Sequence, residues 1–306
     1  MRLDDLDPSK NVRDLGQGGG GGFGGGGGGG LGGGLIGLLP LLLGRRMGCG
    51  TIAILGLVAV AYFMFSGGGG TGGGGWVPVQ SGQQQAQGGS GGDVPCDTAE
   101  ELFACRVLAS TEQTWGAIFQ QSGESYQAPT LNFYRRDGQS GCGAAQSAMG
   151  PFYCPSDQGV YLDTSFFQEL SQRFQAAGDF AQAYVIAHEI GHHIQNLEGT
   201  AARVSRAQQT LGRAAGNEQS VRLELQADCY AGVWAARNRD RLQTGDIEEG
   251  MRAAQAIGDD TLQQQAQGRV VPESFTHGTS AQRMKWLRAG LQSGNPAACD
   301  TFGGAI

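Results

Sequence analysis

Glycine is distributed so unevenly along this chain that only one part of it can form a packed core. Of the 56 glycines in the 306 residues, 34 precede residue 96. Glycine loses more backbone freedom on folding than any other residue and brings no side chain to bury. The sequence therefore predicts that globular structure begins near Cys96. The roughly 200 residues that follow are enough for one domain with its own hydrophobic core.

The glycine-rich third is expected to be an anchor and a tether. Residues 1–46, which contain the run Gly18–Gly30, are predicted to be a disordered, glycine-rich cytoplasmic segment. Residues 47–66 carry no charge and are long enough to form one transmembrane helix that binds the lipid bilayer. Residues 67–95 are rich in Gly, Gln and Ser, which predicts a flexible tether before a domain at 96–306.

The charges beside the apolar stretch indicate its orientation. Arg45 and Arg46 precede it, and no Lys or Arg follows before Arg106. The positive-inside rule then places the N-terminus in the cytoplasm and the domain outside, as a single-pass protein. A signal peptide is less favoured because the polar lead is long and no small-x-small cleavage site follows. A buried core helix is less favoured because glycine flanks both sides. Leu31–Leu43 is a candidate surface segment or second span.

Six cysteines follow the apolar stretch, and their even number predicts disulfides in an oxidising compartment. The alternative is six buried thiols in a cytosolic domain. Six cysteines allow 15 pairings. Short loops favour Cys96–Cys105 and Cys142–Cys154, which leaves Cys229–Cys299 as the third pair.

The net charge of −7 argues against nucleic acid as a partner, because no basic stripe is present to bind phosphates.

Strand patterns precede helix patterns in the domain, so the expected class is α+β, mostly helical with a small sheet. The strand candidates are Leu131–Arg135, Gly150–Tyr153 and Val160–Leu162. Apolar periodicity predicts helices at Thr98–Gln121 and at 165–177, 180–197, 200–215, 218–240, 246–264 and 280–292.

The segment 188–193 reads His-Glu-Ile-Gly-His-His, in the middle of one predicted helix. Asp179 is the expected N-cap of that helix, and Gly199 the residue after its end. At about 100° per residue, His188 and His192 lie about 40° apart on one face, where both imidazoles can bind one zinc ion. Glu189 is beside them and is predicted to take the proton from the attacking water.

Catalytic zinc sites commonly have a third protein ligand. Glu224 and Asp228 lie one helical turn apart on a later helix, so Glu224 is the predicted third ligand. Asp228 is predicted to orient a ligating histidine. The alternatives are a solvated acidic face for this pair and His277 as the third ligand. His193 is about 140° from His188 and is expected to be a packing residue.

Three segments make the chain similar to the bacterial family described as putative neutral zinc metallopeptidases. They are AHEIGHHIQ at 187–195, ELQADCYAGVW at 224–234 and THGTSAQRMKWL at 276–287. The resemblance implies a zincin-like fold, gluzincin-like ligands with Glu224 as the third, and a bacterial cell membrane location. It also implies that His277 and Arg283 lie near the catalytic centre, and that an edge strand near Gly150–Tyr153 or Val160–Leu162 aligns the substrate.

The predicted function is that of a membrane-anchored endopeptidase with one zinc ion, acting on extracytoplasmic proteins or peptides. His277 or Tyr153 is the candidate group for stabilising the developing oxyanion. The main alternative is a zinc-stabilised module that binds envelope proteins without cutting them. A structural membrane protein without metal is less favoured, because three of the four histidines lie within six residues.

Overall fold

The computed structural model of the chain describes residues 1–17 and 95–306. The predicted transmembrane helix at 47–66 lies outside these residues, and so do the glycine run and the tether as far as residue 94. Within the described ranges, no helix has both the length and the apolar character needed to cross a bilayer.

Residues 1–17 are ordered and pack against the domain, which corrects the prediction of a disordered segment for this part of 1–46. Met1, Leu3 and Leu6 are buried in the main hydrophobic core. The next residues, Val12–Gln17, form strand β1. The composition of 1–46 is dominated by glycine and predicted disorder. Three apolar side chains and a row of backbone hydrogen bonds are nevertheless enough to fix its first part.

Eight helices form most of the described part of the chain. They are α1 (Ala99–Gln121), α2 (Ser165–Gln172), α3 (Asp179–Leu197), α4 (Thr200–Thr210), α5 (Arg213–Arg237), α6 (Asp246–Ala256), α7 (Asp259–Gln267) and α8 (Ser280–Ser293). Single turns of 3-10 helix lie at Ser147–Met149, Arg239–Arg241, Pro272–Ser274 and Pro296–Ala298. The predicted helix-rich α+β class is confirmed.

One mixed sheet packs beside these helices. Its further strands are β2 (Thr130–Arg135), β3 (Asp137–Ser140), β4 (Gly143–Gln146), β5 (Phe152–Cys154) and β6 (Gly159–Leu162). The order is β4-β3-β2-β6-β5, and β1 pairs with β2. Strands β1 and β6 are both parallel to β2, whereas β5 runs antiparallel to β6. Strand β5 is therefore at one edge of the described sheet, and β6 is inside it.

Local sequence signals account for several helix boundaries. Thr98 and Glu101 form a capping box at the start of α1. The pattern over 246–264 breaks into α6 and α7 at Gly258, where an added Cβ would lie 2.4 Å from the backbone nitrogen of Ser280. Apolar periodicity does not detect such a close approach between helices, so one long helix was predicted where two are found.

The start of α3 differs from its prediction. Gly178, with φ +127°, is the N-cap, and Asp179 is the first helical residue without a capping hydrogen bond. The Asp179 carboxylate instead accepts hydrogen bonds from the ammonium group of Met1. At the other end, Gly199 follows the helix in the left-handed region, as predicted.

Two close helix contacts place the functional face of α3. A Cβ at Gly191 would lie 2.9 Å from the backbone of Ala227, so glycine lets α3 approach α5 at the motif. A Cβ at Gly290 would lie 1.9 Å from the carbonyl oxygen of Cys229, so α8 in turn packs directly on α5. Helix α5 is thus held between the helix that carries the histidines and the helix that carries Arg283.

All three favoured disulfides are present, which confirms the predicted pairing. They join Cys96 to Cys105, Cys142 to Cys154, and Cys229 to Cys299. The third closes a loop of 70 residues and joins α5 to the C-terminal segment.

The main core lies between the helices and one face of the sheet. A smaller core on the other face includes Tyr134, Phe152 and Tyr161.

Candidate metal centre

The motif residues of α3 face Glu224 of α5 across the contact made at Gly191. Nε2 of His188 lies 3.2 Å from Oε2 of Glu224, and Nε2 of His192 lies 3.5 Å from Oε1. The two imidazole rings are 4.8 Å apart between centroids and nearly perpendicular. The three residues come from two separate segments of the sequence, and the fold brings them together.

The geometry of this group suits a zinc ion. One ligand atom from each of His188, His192 and Glu224 lies within 4.8 Å of the other two. Two neutral imidazole nitrogens and one carboxylate oxygen form a common ligand set of catalytic zinc sites, in which a fourth position stays open. The residues present therefore fit the metal that the motif predicts.

Hydrogen bonds turn both histidines so that Nε2 points at the shared site. Nδ1 of His188 lies 2.8 Å from Oδ1 of Asp228. Nδ1 of His192 lies 2.9 Å from Oε1 of Gln195, whose amide nitrogen donates to the carbonyl of Leu223 on α5. With each Nδ1–H donating to these oxygens, each Nε2 keeps a free lone pair for a metal. Asp228 thus lies where it was predicted, whereas Gln195 was missed because a glutamine on a buried helix carries no distinctive signal.

Asp228 itself accepts three hydrogen bonds from two other side chains. The Tyr184 hydroxyl donates to it at 2.6 Å, and Arg283 donates through Nε and an Nη nitrogen, each at 2.9 Å. Asp228 is fully buried, and only 3% of Arg283 is exposed. Arg283 lies near the predicted catalytic centre, as expected, with one Nη nitrogen 3.4 Å from Nδ1 of His188. It lies behind Asp228, so its guanidinium positions the carboxylate that positions His188.

Glu189 differs from the other carboxylates of the site in having no hydrogen-bond partner among the described residues. It is buried, with 8% exposed. Burial raises the pKa of its carboxyl, although the charges of His192 and His188 oppose that effect. A buried carboxylate with free oxygens and a raised pKa is suited to accept a proton from water.

The pKa shifts of Asp228, Glu224 and His188 show how the charges of this site balance. Burial favours the protonated form of Asp228, but Arg283 and His188 outweigh it and lower the pKa to about 2. Burial also opposes ionisation of Glu224, and the charges of His192 and His277 hold its pKa well below the usual value. Burial lowers the pKa of His188, yet Asp228 and Glu224 raise it to about 10 in the metal-free protein.

His277 lies at the rim of the same site, on the loop before α8. Its Nδ1 is 3.1 Å from Oδ1 of Asp259, and the other oxygen of Asp259 accepts from the backbone nitrogens of residues 276–278. The charge of Glu224 helps to raise the His277 pKa, although burial opposes it. A Cβ at the next residue, Gly278, would lie 3.3 Å from the side chain of Leu225, the neighbour of Glu224 on α5. His277 therefore lies beside the metal group but is not one of its three converging residues. Asp259, at the start of α7, was not identified from the sequence.

The third motif histidine has a packing role, as predicted. Nδ1 of His193 lies 3.0 Å from the Tyr153 hydroxyl, and its Nε2 lies 2.6 Å from the carbonyl oxygen of Gln127. Burial lowers the pKa of His193 and keeps it neutral. The Tyr153 hydroxyl also accepts from Asn196 at 3.1 Å. These hydrogen bonds attach strand β5 to α3. They also occupy the Tyr153 hydroxyl, which was a candidate for stabilising the oxyanion.

The profile of the family described as putative neutral zinc metallopeptidase matches residues 1–302. The match includes the N-terminal segment as well as the domain. No solved structure matches the chain.

Two bacterial relatives each match about two thirds of the chain. The uncharacterized protein YpfJ of Escherichia coli K12 is 54% identical over 214 residues, which are 69% of this chain and 75% of YpfJ. The uncharacterized protein Mb2605 of Mycobacterium bovis is 46% identical over 220 residues, which are 68% of this chain and 73% of Mb2605.

Proposed function

Because the chain belongs to the putative neutral zinc metallopeptidase family, we propose that it is an endopeptidase with one zinc ion in a zincin-like domain. The observation that carries this proposal is the convergence of His188, His192 and Glu224 on one point, with the free carboxylate of Glu189 beside them. A site that only stabilised the fold would not need a largely buried carboxylate that has no hydrogen-bond partner among the described residues.

The proposed chemistry uses a few groups in defined roles. A bound zinc ion supplies Lewis-acid activation of water and of the scissile carbonyl. Glu189 accepts the proton of the attacking water and returns it to the leaving amine. His277 donates a hydrogen bond to the developing oxyanion, and Asp259 holds its ring in place. Asp228 and Arg283 keep Nε2 of His188 directed at the metal.

Strand β5 is the proposed binding element for the substrate backbone. Among the described strands it pairs only with β6, and Tyr153 ties it to the motif helix. The Cys142–Cys154 disulfide fixes its end. An extended peptide that adds to this edge would gain backbone hydrogen bonds without a requirement for sequence. We therefore propose extended segments of proteins or peptides as the substrate class.

Three disulfides support an oxidising, extracytoplasmic compartment for the domain. Attachment to the membrane through residues 47–66 remains a prediction from the sequence.

The test compares the full chain with Glu189→Gln, and uses Glu169→Gln, at an exposed position of α2, as a matched control. Zinc content and cleavage of an unfolded protein are measured for all three. We expect about one zinc ion per chain in each and a loss of cleavage of about 10²–10⁴-fold in Glu189→Gln alone. Zinc in all three without cleavage in any would favour the non-catalytic binding module. Folded protein that takes up no zinc when supplied with it would contradict the proposal.

A further inference from the structure

A series of buried hydrogen bonds connects His192 with the C-terminal segment. Nδ1 of His192 lies 2.9 Å from Oε1 of Gln195, and Nε2 of Gln195 donates to Oε1 of Gln226 at 3.1 Å. Nε2 of Gln226 donates in turn to the carbonyl oxygen of Cys299 at 3.1 Å. Gln195 is fully buried, and Gln226 is 8% exposed. Loss of any partner would therefore leave a buried polar group without a hydrogen bond.

Two backbone carbonyls fix the direction of these hydrogen bonds. A carbonyl oxygen only accepts, so the amide nitrogen of Gln195 faces the carbonyl of Leu223, 2.7 Å away. For the same reason the amide nitrogen of Gln226 faces the carbonyl of Cys299. The amide oxygen of Gln195 then faces His192, whose Nδ1 must carry the proton. Nε2 of His192 therefore keeps the lone pair that a metal needs.

The C-terminal segment that begins at Cys299 is fixed along one face of α5. Cys299 forms its disulfide with Cys229, and both are buried. The hydroxyl of Thr301 donates to the carbonyl of Arg222 at 2.6 Å. Arg222, Gln226 and Cys229 follow the i, i+4, i+7 spacing of one helical face, so the segment lies along that face. The carbonyl of Cys299 is thus held where the Gln226 amide reaches it.

We propose that Gln226 and the carbonyl of Cys299 are positioning groups for His192. The disulfide to Cys229 keeps that carbonyl in place. This inference rests on the proposed zinc site, and it makes the C-terminal segment part of what the site needs. Without the carbonyl, the amides of Gln226 and Gln195 are free to rotate. His192 then also populates the tautomer in which Nε2 carries the proton and does not bind metal.

The first experiment compares Gln226→Met with Gln263→Met in the full chain. Methionine matches glutamine in length but does not donate a hydrogen bond. Gln263 is a matched control, because it is 3% exposed and its amide bonds to Ser274 and Val271. Competition with a chelator measures zinc affinity. We expect it to fall roughly tenfold in Gln226→Met alone, the lower end of the loss for an orienting partner. Wild-type affinity in Gln226→Met would overturn the proposal.

The second experiment follows solvent exchange of the Nδ1 proton of His192 by NMR in protein with ¹⁵N-labelled histidine. This proton should exchange at least about tenfold faster in Gln226→Met than in wild type or Gln263→Met. A merely structural role for Gln226 would lower stability as the control does and leave the exchange unchanged. The measurement is made with and without zinc. Wild-type protein that binds no zinc would contradict the proposed function, whereas exchange in the metal-free protein still tests the hydrogen bonds to His192.

The third experiment removes the disulfide with Cys229→Ala and Cys299→Ala together. The control removes the disulfide between Cys96 and Cys105 in the same way. We expect zinc affinity to fall at least as far as in Gln226→Met when the first pair is removed, and to be retained in the control. Adding Gln226→Met to the first pair should lower affinity little further, because both changes break the same series of hydrogen bonds. Additive losses, or equal zinc loss in the control, would refute the coupling.

Discussion

Two clusters of metal-binding residue types lie along the same helix and meet different partners. At its middle, His188 and His192 face Glu224, and at its start Asp179 lies beside Asp246 and Glu249. In both groups, one ligand atom from each residue lies within 4.8 Å of the others. The first group offers imidazole nitrogens with orienting hydrogen bonds, whereas the second offers only oxygens and already contains the ammonium group of Met1.

The difference lies in what supplies the positive charge. Imidazole and carboxylate together suit zinc, and the hydrogen bonds to each Nδ1 prepare the ring for it. A group of oxygens alone suits a harder cation, and here the chain itself provides one. Proximity of carboxylates therefore does not identify a metal site until the donor types and the cations already present are considered.

The largest expected effect comes from His192→Ala, which removes a zinc ligand. Loss of a partner that only orients a ligand lowers zinc affinity by about 10–100-fold. Loss of a ligand itself should lower it further. His193→Gln is the matched control from the next position and should retain zinc. Zinc titration with a competing chelator measures the change. Protection of residues 1–17 from trypsin should be unchanged in both variants, because the two clusters are separate. Equal zinc loss in the control would contradict the assignment.

Arg283→Met should have the next largest effect, and this effect is on the stability of the fold rather than on zinc affinity. It leaves the buried Asp228 carboxylate without its cation, which should lower the free energy of unfolding by about 3–5 kcal/mol. The folded pKa of Asp228 is depressed to about 2, so this stabilisation is present above about pH 4 and is lost as pH falls towards 2. Urea unfolding of metal-free wild type and variant at several pH values measures it. A difference in unfolding free energy between wild type and variant that stays constant from pH 6 to pH 3 would contradict the ion pair.

A smaller effect is expected from Asp228→Asn. The amide keeps the shape but weakens the hold on Nδ1 of His188, so zinc affinity should fall about 10–100-fold. Asp259→Asn is the matched control, since Asp259 holds the ring of His277 in a similar way. That control should bind zinc normally and lose cleavage activity. Normal zinc affinity in Asp228→Asn would show that the metal does not depend on the orientation of His188.

The smallest effect is expected within the N-terminal cluster. Asp179 is 44% exposed and Asp246 is 5% exposed, although both contact the same ammonium. Asp179→Asn should therefore cost at most about 1 kcal/mol, as exposed ion pairs do, and Asp246→Asn should cost more. Urea unfolding of both variants compares the two. The reverse order would mean that the exposed carboxylate carries the attachment.

Local patterns in the sequence were sufficient for the zinc ligands but not for their surroundings. His188 and His192 share a face because of helical periodicity alone, and the Glu224–Asp228 spacing follows the same rule. Gln195 and Asp259 depend on which helices meet, and no local pattern specifies that. The class of the domain was predictable, whereas strand β1 was hidden by the glycines that follow it. Its partner β2 lies more than a hundred residues away, so only the folded chain reveals the pairing.

The pairing of β1 with β2 also has a consequence for how the chain reaches this fold. Strand β1 is six residues long, and its partner β2 begins more than a hundred residues later in the sequence. Contacts between residues so far apart in sequence cost loop-closure entropy before they stabilise the fold, so they form slowly. We therefore expect β1 to join the sheet after the local helices and the β3–β4 hairpin have formed.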